Sequence, residues 1–293
     1  MDLWFGIFED KQPQTSLASV DRGITSLWVD GHARDFAALR EFEALETLSI
    51  YRLPRRHLPV LVDCKLPCLT ALCLRHADAD DLAFLSGFAT LETLTIWQSP
   101  KLKRLDGIEA LSRLRTLILS DLGAVESLAP LAAFNGLRSL ALTGGIWKTQ
   151  GLPPLAPLAA LTQLEQLNMD AAKVSDGDLS PLCDLPRLNE LRFGPRAFDP
   201  EEVARVAAAY PWWRRQLLDL EDFDKFAGTP GCKVCGTHRR ILFLRRKKLL
   251  WCPSCEGAKL DAILADFERL VEEKLREREH PQPRATNGRL HSN

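Results

Sequence analysis

The sequence predicts an α/β solenoid followed by a small four-cysteine module and a helix. The solenoid is predicted by a phrase of the type Leu-x-x-Leu-x-Leu, which occurs eight times in the first two thirds of the 293 residues. Its copies begin at Ile24, Leu45, Leu69, Leu91, Leu114, Leu137, Leu164 and Leu188, in steps of 21 to 27 residues. A period of this length indicates stacked structural repeats, which form an extended surface rather than a pocket.

Each copy of the phrase predicts one short strand. In Leu91-Glu-Thr-Leu94-Thr-Ile96 the last two apolar residues alternate with a polar one, which suits a strand and does not fit one face of a helix. The stretch after each strand carries a second apolar set. We expect that set to return on the opposite side as a short helix, a 3₁₀ turn or an extended segment. In the fourth repeat it consists of Leu102, Leu105, Ile108 and Leu111.

Residues 20–198 resemble the leucine-rich repeats, in particular the irregular bacterial type, in their period and in the positions of their leucines. The resemblance implies a horseshoe of about eight repeats at residues 24–198. Recurring prolines in this region argue against a bundle of long helices. The chain departs from the family where an Asn usually follows the strand, and it has there Leu53, Ala77, Ser99, Leu122 and Gly145. Without these asparagines, the backbone groups of the turn need other hydrogen-bond partners.

A solenoid needs a cap at each end, because the terminal repeats would otherwise expose their core. We expect residues 1–23 to form the N-terminal cap through an apolar cluster of Leu3, Trp4, Phe5, Ile7 and Phe8. Residues 199–229 are predicted to form a C-terminal capping helix and a linker. Asp199 suits the N-cap and Pro200 the first helical position, and Pro211 is expected to stop the helix.

The resemblance also implies which side chains face outward on the concave side of the horseshoe, namely those between and just after the strand leucines. Eight of them are predicted to bind a partner: Trp28, Tyr51, Arg52, Arg75, His76, Trp97, Gln98 and Asp121. Tyr, Trp and Arg are enriched among the residues that dominate binding energies, so their concentration in the first four repeats predicts contacts there. The alternative is that these rings are exposed by chance or stack on one another.

Two Cys-x-x-Cys pairs, Cys232–Cys235 and Cys252–Cys255, are separated by sixteen residues. Such spacing is typical of a zinc site, and four thiolates leave no open position for a substrate. Residues 230–256 resemble a zinc ribbon, which implies one structural Zn²⁺, and residues 239–244 and 249–251 suit its two strands. The remaining cysteines are predicted to be small core residues in a reducing compartment: Cys64, Cys68, Cys73 and Cys183.

An apolar stripe with a period near 3.6 predicts an amphipathic helix at residues 257–279. We expect this stripe to pack on the ribbon or on the last repeat, and pairing with another chain is the alternative. The last residues, 280–293, are expected to be disordered.

The formal net charge of −1 is unevenly distributed, with +7 at residues 232–259 and −7 at residues 1–231. The basic module could contact nucleic acid through phosphates, or an acidic partner. The candidate residues are Arg239, Arg240, Arg245, Arg246, Lys247 and Lys248. The other interpretation is that this basic module docks within the protein or onto another protein.

The sequence contains no pattern typical of an enzyme. It shows no nucleophile with a base, no paired carboxylates, no phosphate loop and no His/Asp metal site. No run reaches the ~20 apolar residues of a membrane helix, and the N-terminus lacks the basic start of a signal peptide. We therefore expect a cytoplasmic, non-enzymatic scaffold or adaptor that binds a protein through its concave face. One version is an immunity-type partner that neutralises a basic toxin. The alternative is a nucleic-acid-associated factor, and the oligomeric state stays open.

Overall fold

The computed structural model describes residues 12–122, 125–145, 148–218, 231–242, 244 and 250–280. They belong to two compact units, one ending at Phe198 and the other beginning at Asp199. None of the described helices combines the length and the apolar run that a membrane span requires. The predicted apolar cluster at residues 3–8 and most of the predicted disordered end, residues 281–293, lie outside the described residues.

The first unit contains a parallel sheet of eight strands, one for each copy of the leucine phrase. Its strands are β1 Ser26–Asp30, β2 Thr47–Tyr51, β3 Ala71–Arg75, β4 Thr93–Trp97, β5 Thr116–Ser120, β6 Ser139–Thr143, β8 Gln166–Met169 and β10 Glu190–Phe193. Strands adjacent in the sheet follow one another along the chain and pair at equivalent positions, so Tyr51 pairs with Arg75 and Arg75 with Trp97. This order and register confirm the predicted repeat solenoid.

The side opposite the sheet consists of short helical turns that carry the second apolar set. The 3₁₀ turns are Phe36–Glu41, Arg55–His57, Ala83–Leu85, Ile108–Ala110, Ala129–Ala133, Ala156–Ala160, Ser180–Leu182 and Pro195–Ala197, and one α-helix, α1, spans Leu58–Asp63. The four apolar residues predicted for the fourth repeat, between Leu102 and Leu111, are all buried. Strand leucines and turn leucines therefore form one continuous core, which no single repeat could bury alone.

A serine replaces part of the missing asparagine ladder. Ser99 is 1% exposed, and its hydroxyl accepts a hydrogen bond from the backbone N–H of Ala77 in the preceding repeat, at 3.0 Å. The same oxygen lies 3.4 Å from the carbonyl of Trp97. One turn amide thus has the side-chain partner that its buried position requires.

A second, two-stranded parallel sheet was not predicted. Its strands are β7 Gln150–Leu152 and β9 Ala172–Val174, which follow β6 and β8. The longest step between two copies of the phrase, 27 residues, contains β7. The additional residues of this repeat therefore form a strand rather than a longer turn.

At the N-terminal edge of the sheet, Gln14 pairs with β1. Its backbone N–H donates to Trp28 at 2.8 Å, and its carbonyl accepts from Asp30 at 2.9 Å. Leu17, three residues after Gln14, is fully buried. These contacts cover part of the edge of β1, which would otherwise present unpaired backbone groups.

The described residues of the second unit form three helices and a small hairpin. The helices are α2 Pro200–Ala209, α3 Pro211–Leu218 and α4 Pro253–Glu279, and the antiparallel strands are β11 Arg240–Ile241 and β12 Leu250–Trp251. The Asp199 carboxylate accepts from the N–H of Glu201 at 3.4 Å, as expected of an N-cap. Pro211 ends α2 as predicted but also begins α3, because proline is well suited to the first position of a helix.

Helix α4 packs against α2 within this unit. The Lys274 side chain of α4 is 7% exposed and pairs with Glu277 at 2.9 Å and with Glu201 of α2 at 3.6 Å. Arg205 of α2 pairs in turn with Glu277 at 3.9 Å. Part of the predicted amphipathic helix therefore uses a neighbouring helix as its partner. The hydrogen bond to Glu277 is the main reason that the pKa of Lys274 is raised.

Candidate functional site

The solvent-facing side of the eight-stranded sheet carries the residues predicted to bind a partner. We call it the sheet face. Along β4, Leu94 and Ile96 point into the core and the half-buried Trp97 alternates with them. The parallel register brings the equivalent residues of neighbouring repeats into rows across the sheet, with Tyr51, Arg75 and Trp97 side by side.

Three of these residues form a stacked platform. The guanidinium carbon of Arg75 lies 4.2 Å from the centre of the Trp97 ring and 5.5 Å from that of the Tyr51 ring. Its Nε donates to the side-chain oxygen of Gln98 at 3.2 Å. The His76 ring meets the Tyr51 ring edge-on at 5.5 Å. Stacking among the rings and cations, one of the two alternatives left open by the sequence, is therefore present, and it fixes the orientation of Arg75.

An ion pair between a buried carboxylate and an arginine that is 54% exposed lies beside the platform. Arg52 pairs with Asp30, whose side chain is 5% exposed, and also lies 4.9 Å from the Tyr51 ring centre. Burial would raise the pKa of the Asp30 carboxyl, but the hydrogen bonds from Arg52 and from the amide of His32 hold the pKa below its usual value. The charge of Arg52 is thus compensated inside the protein.

Four of the eight predicted residues have a left-handed backbone. Arg52, His76, Gln98 and Asp121 each follow the last residue of a strand and have φ between 52° and 55°. The N–H of each donates to the neighbouring strand, as from His76 to the carbonyl of Trp97 at 3.0 Å. This conformation costs a residue other than glycine about 1–2 kcal/mol. Strained backbone of this kind clusters at functional sites, although it also serves here to end the strands.

A row of mostly small side chains, three of them buried, lies beside the platform on the sheet face. This floor row consists of Ser49, Cys73, Thr95, Ile118 and Ala141, which pair in register from β2 to β6. Burial raises the pKa of the Cys73 thiol to about 11, so it stays protonated at neutral pH. The Thr95 hydroxyl is buried and has no hydrogen-bond partner among the described residues, which is uncommon for a buried polar atom.

The two other predicted residues flank the platform. Trp28 lies on β1 in register with Ser49 of the floor row, and Asp121 directly follows β5. The structure therefore brings six of the eight residues together in repeats two to four. Asp30 and Thr95 belong to the same face, and their chemistry could not be inferred from the leucine pattern.

The second candidate site is a cluster of four thiols, those of Cys232, Cys235, Cys252 and Cys255, whose sulfur atoms all lie within 4.8 Å of one another. The sulfurs of Cys235 and Cys252 are 3.4 Å apart, and those of Cys232 and Cys255 are 3.9 Å apart. Four sulfurs around one zinc at about 2.3 Å would be separated by about 3.8 Å. The donor set and its spacing therefore fit a tetrahedral zinc ion.

Local backbone structure positions the two pairs of cysteines. In the first pair the N–H of Gly236 donates to Cys232 at 2.8 Å, and Gly236 has φ of 75°, which glycine adopts readily. In the second pair Cys252 is the N-cap of α4, and its sulfur accepts from the N–H of Cys255 at 3.3 Å. This first turn is separated from the rest of α4 by non-helical backbone at Glu256, with φ of −127° and ψ of 16°.

The thiols strongly influence one another. The hydrogen bond between the Cys235 sulfur and the Thr237 hydroxyl, at 3.3 Å, is the largest of the effects that lower the pKa of Cys235 to about 6. Contacts with Cys235 and with Cys252 raise the pKa of Cys255 to about 12. Thr237 also reaches Ser254 at 3.0 Å and so links the two pairs. Thr237 was not predicted from the sequence, although its place next to a ligand pair could have indicated it.

A small apolar core lies beside the cluster. Leu242, Trp251 and Leu260 are buried together, and Leu244, Ile263 and Leu264 pack against them. The N-terminal part of the α4 stripe thus packs on the hairpin. Of the basic residues predicted for nucleic acid or an acidic partner, the exposed Arg240 lies on β11 and the half-buried Arg239 precedes it, whereas 245–248 lie outside the described residues.

The scattered cysteines do not all belong to the core. Cys64 and Cys183 are buried, as predicted, and burial raises the pKa of Cys64 to about 11. Cys68 is exposed and Cys73 is half-buried on the sheet face, so the prediction of core positions is wrong for these two. Proximity to leucines in the sequence does not distinguish the core side of a strand from the opposite side.

Comparison with solved structures finds leucine-rich repeat proteins. An internalin of Listeria monocytogenes is 25% identical over 59% of this chain and 48% of its own, with a TM-score of 0.44. Internalin C2 of the same organism is 23% identical over 60% and 70%, with a TM-score of 0.41. A leucine-rich repeat protein of Leptospira interrogans is 14% identical over 63% and 56%, with a TM-score of 0.38.

The chain spans about half the length of the first of these proteins. No family model matches the chain, and no curated protein matches it. The description of the first unit as a repeat solenoid rests on the order and register of its strands.

Proposed function

We propose that the protein is a non-enzymatic binding scaffold that holds a partner protein on the sheet face of repeats two to four. The observation that carries the proposal is the platform of Tyr51, Arg75 and Trp97, three half-buried side chains that the parallel register assembles on one face of the sheet. Rigid aromatic and arginine side chains dominate the binding energy of protein interfaces. Their mutual stacking lowers the entropy cost of fixing them in a complex.

The platform has the features of a surface that is ordered before it binds. Arg75 is held by two rings and by Gln98, and Arg52 by Asp30. Left-handed backbone at four equivalent positions sets the direction of the side chains that follow the strands. A cavity for a small substrate plays no part in this arrangement, which is an extended face.

Affinity capture from the native host with the full chain tests this function. Tyr51→Ala and Trp97→Ala should each lose the partner that the wild-type protein retains, while their melting temperatures stay within a few degrees of the wild type. Trp212→Ala is the matched control, because Trp212 is a half-buried tryptophan of α3 in the second unit. If all variants retain the same partner, the sheet face does not bind it.

We also propose that the four-cysteine cluster holds one structural Zn²⁺, with Cys232, Cys235, Cys252 and Cys255 as ligands. The support is the donor set and the spacing of the sulfur atoms. Bound zinc would offset half of the charge of the four thiolates and join the loop of Cys232 and Cys235 to the start of α4, without an open position for catalysis. We propose the cytoplasm as the setting, because a reducing compartment keeps exposed thiols such as that of Cys68 free.

A further inference from the structure

We infer that Arg75 is a receptor for a carboxylate, and that the partner presents an Asp or Glu side chain of an extended acidic segment to the platform. This inference rests on the proposed function of the sheet face and adds the chemistry of the partner.

The hydrogen-bonding capacity of Arg75 is only partly used. A guanidinium has five N–H donors, and the one on Nε is directed to Gln98 at 3.2 Å. No carboxylate of the described residues forms an ion pair with Arg75, in contrast to Arg52, which pairs with Asp30. The two terminal nitrogens therefore remain available, and a planar pair of N–H donors matches a carboxylate in a bidentate geometry.

The two rings prepare Arg75 for this role. Trp97 and Tyr51 hold the guanidinium at 4.2 Å and 5.5 Å from their centres, so the side chain has lost most of its rotational freedom before a partner arrives. A lysine at this position could neither stack in this way nor bind with two parallel hydrogen bonds.

The floor row favours a side-chain carboxylate over the carboxylate of a chain end. It continues in register from Ser49 past Thr95 to Ala141, on both sides of the strand that carries Arg75. An extended segment that crosses the sheet face can therefore continue past the platform on both sides without ending there. The unpartnered hydroxyl of Thr95 shows that the floor contains polar capacity that the described residues do not satisfy.

Selection from a display library of random twelve-residue peptides against the full chain tests the inference. Peptides enriched on the wild type should carry Asp or Glu at one fixed position, and enrichment of that position should disappear on Arg75→Gln. Arg113→Gln is the matched control, because Arg113 is an exposed arginine in the turn before β5. A synthetic peptide from the selection should bind about 10- to 100-fold more weakly to Arg75→Gln, or after its own Glu→Gln change. Arg75→Lys should recover only part of this loss.

The outcomes separate this inference from the proposed function. If Trp97→Ala abolishes selection but the enriched peptides carry no acidic position, the sheet face binds peptides and the carboxylate assignment is wrong. If an acidic position is enriched equally on Arg75→Gln, Arg75 is not its receptor. Enrichment that survives both Trp97→Ala and Arg75→Gln, or no enrichment on the wild type, contradicts the binding face as well.

Discussion

Loss of zinc should unfold the four-cysteine module and leave the repeats folded. Cys252 is the most informative ligand to replace, because it is buried, contributes one of the four sulfurs and caps α4. Cys252→Ser removes a thiolate from the set and keeps a side chain that can still cap the helix. The expected effect is therefore a loss of metal rather than a loss of the cap.

The size of the effect follows from the small core of the module. Among the described residues, its buried apolar side chains are those of Leu242, Trp251 and Leu260. At about 1.5–3 kcal/mol each, they contribute at most about 9 kcal/mol before conformational entropy is subtracted. A structural zinc in a small module contributes about 10–16 kcal/mol. The metal is thus the largest favourable contribution, and the hairpin should not persist without it.

Metal analysis and hydrogen exchange measure the two parts of this prediction. The purified wild type should contain one zinc per chain, with four sulfur neighbours at about 2.3 Å in X-ray absorption. After chelation, or in Cys252→Ser, the amides of β11, β12 and the first turn of α4 should lose their protection. The amides of β2 to β5 should keep theirs. Cys68→Ser is the control, because Cys68 is an exposed thiol of the first unit.

Two results would refute this account of the module. One is a protein that is fully free of zinc and still protects the amides of β11 and β12. The other is a Cys252→Ser variant whose repeats unfold together with the hairpin, because the metal would then support the whole chain rather than its own module.

Three further predictions concern the first unit. Leu94→Ala should lower the free energy of unfolding by about 2–5 kcal/mol, since Leu94 is fully buried. Trp97→Ala on the opposite face of the sheet should remove about 1 kcal/mol of stacking and lower the melting temperature by about 2–4 °C. Calorimetry distinguishes the two variants. Gln98→Gly should leave the stability unchanged or raise it by up to about 1 kcal/mol, because glycine tolerates a positive φ. It should still weaken capture of the partner protein, because it removes the side chain that accepts a hydrogen bond from Arg75. Because the pKa of Asp30 is lowered in the folded state, its contribution to stability is present above about pH 4 and is lost as the pH falls further. In urea unfolding from pH 6 to pH 3, the stability of Asp30→Asn should therefore depend less on pH than that of the wild type.

The sequence predicted the solenoid well because the leucine period reports burial directly. It did not predict the conformation of the residues that follow the strands. Arg52, His76, Gln98 and Asp121 have left-handed backbone although none is glycine, and residue type alone gives no sign of this. Tertiary packing imposes it, because the N–H of each must reach the neighbouring strand. Hydrogen bonds between repeats, and not local propensity, therefore determine the left-handed backbone of these residues.

The periodic pattern also did not predict short or irregular elements. Strands β7 and β9 have three residues each, too few to show an alternation. Helix α3 was not predicted because Pro211 signalled an end, although the same residue is favourable at a helix start. The four cysteines are a contrast, since their spacing alone predicted that the sulfur atoms would lie together.

The net charge of the first 231 residues and the local charge of the platform favour partners of opposite sign. Residues 1–231 carry −7, which suggested a basic partner. Many acidic groups of the first repeats are compensated, however, in the pairs Asp30–Arg52, Asp78–Lys101, Asp80–Arg55 and Asp81–Arg104. Arg75 has no such partner among the described residues and lies at the centre of the platform. Charge interactions between exposed groups more than about 8–10 Å apart are largely screened at physiological salt. A partner on the sheet face therefore encounters the local arginine rather than the net charge of the unit, and an acidic segment is the better match.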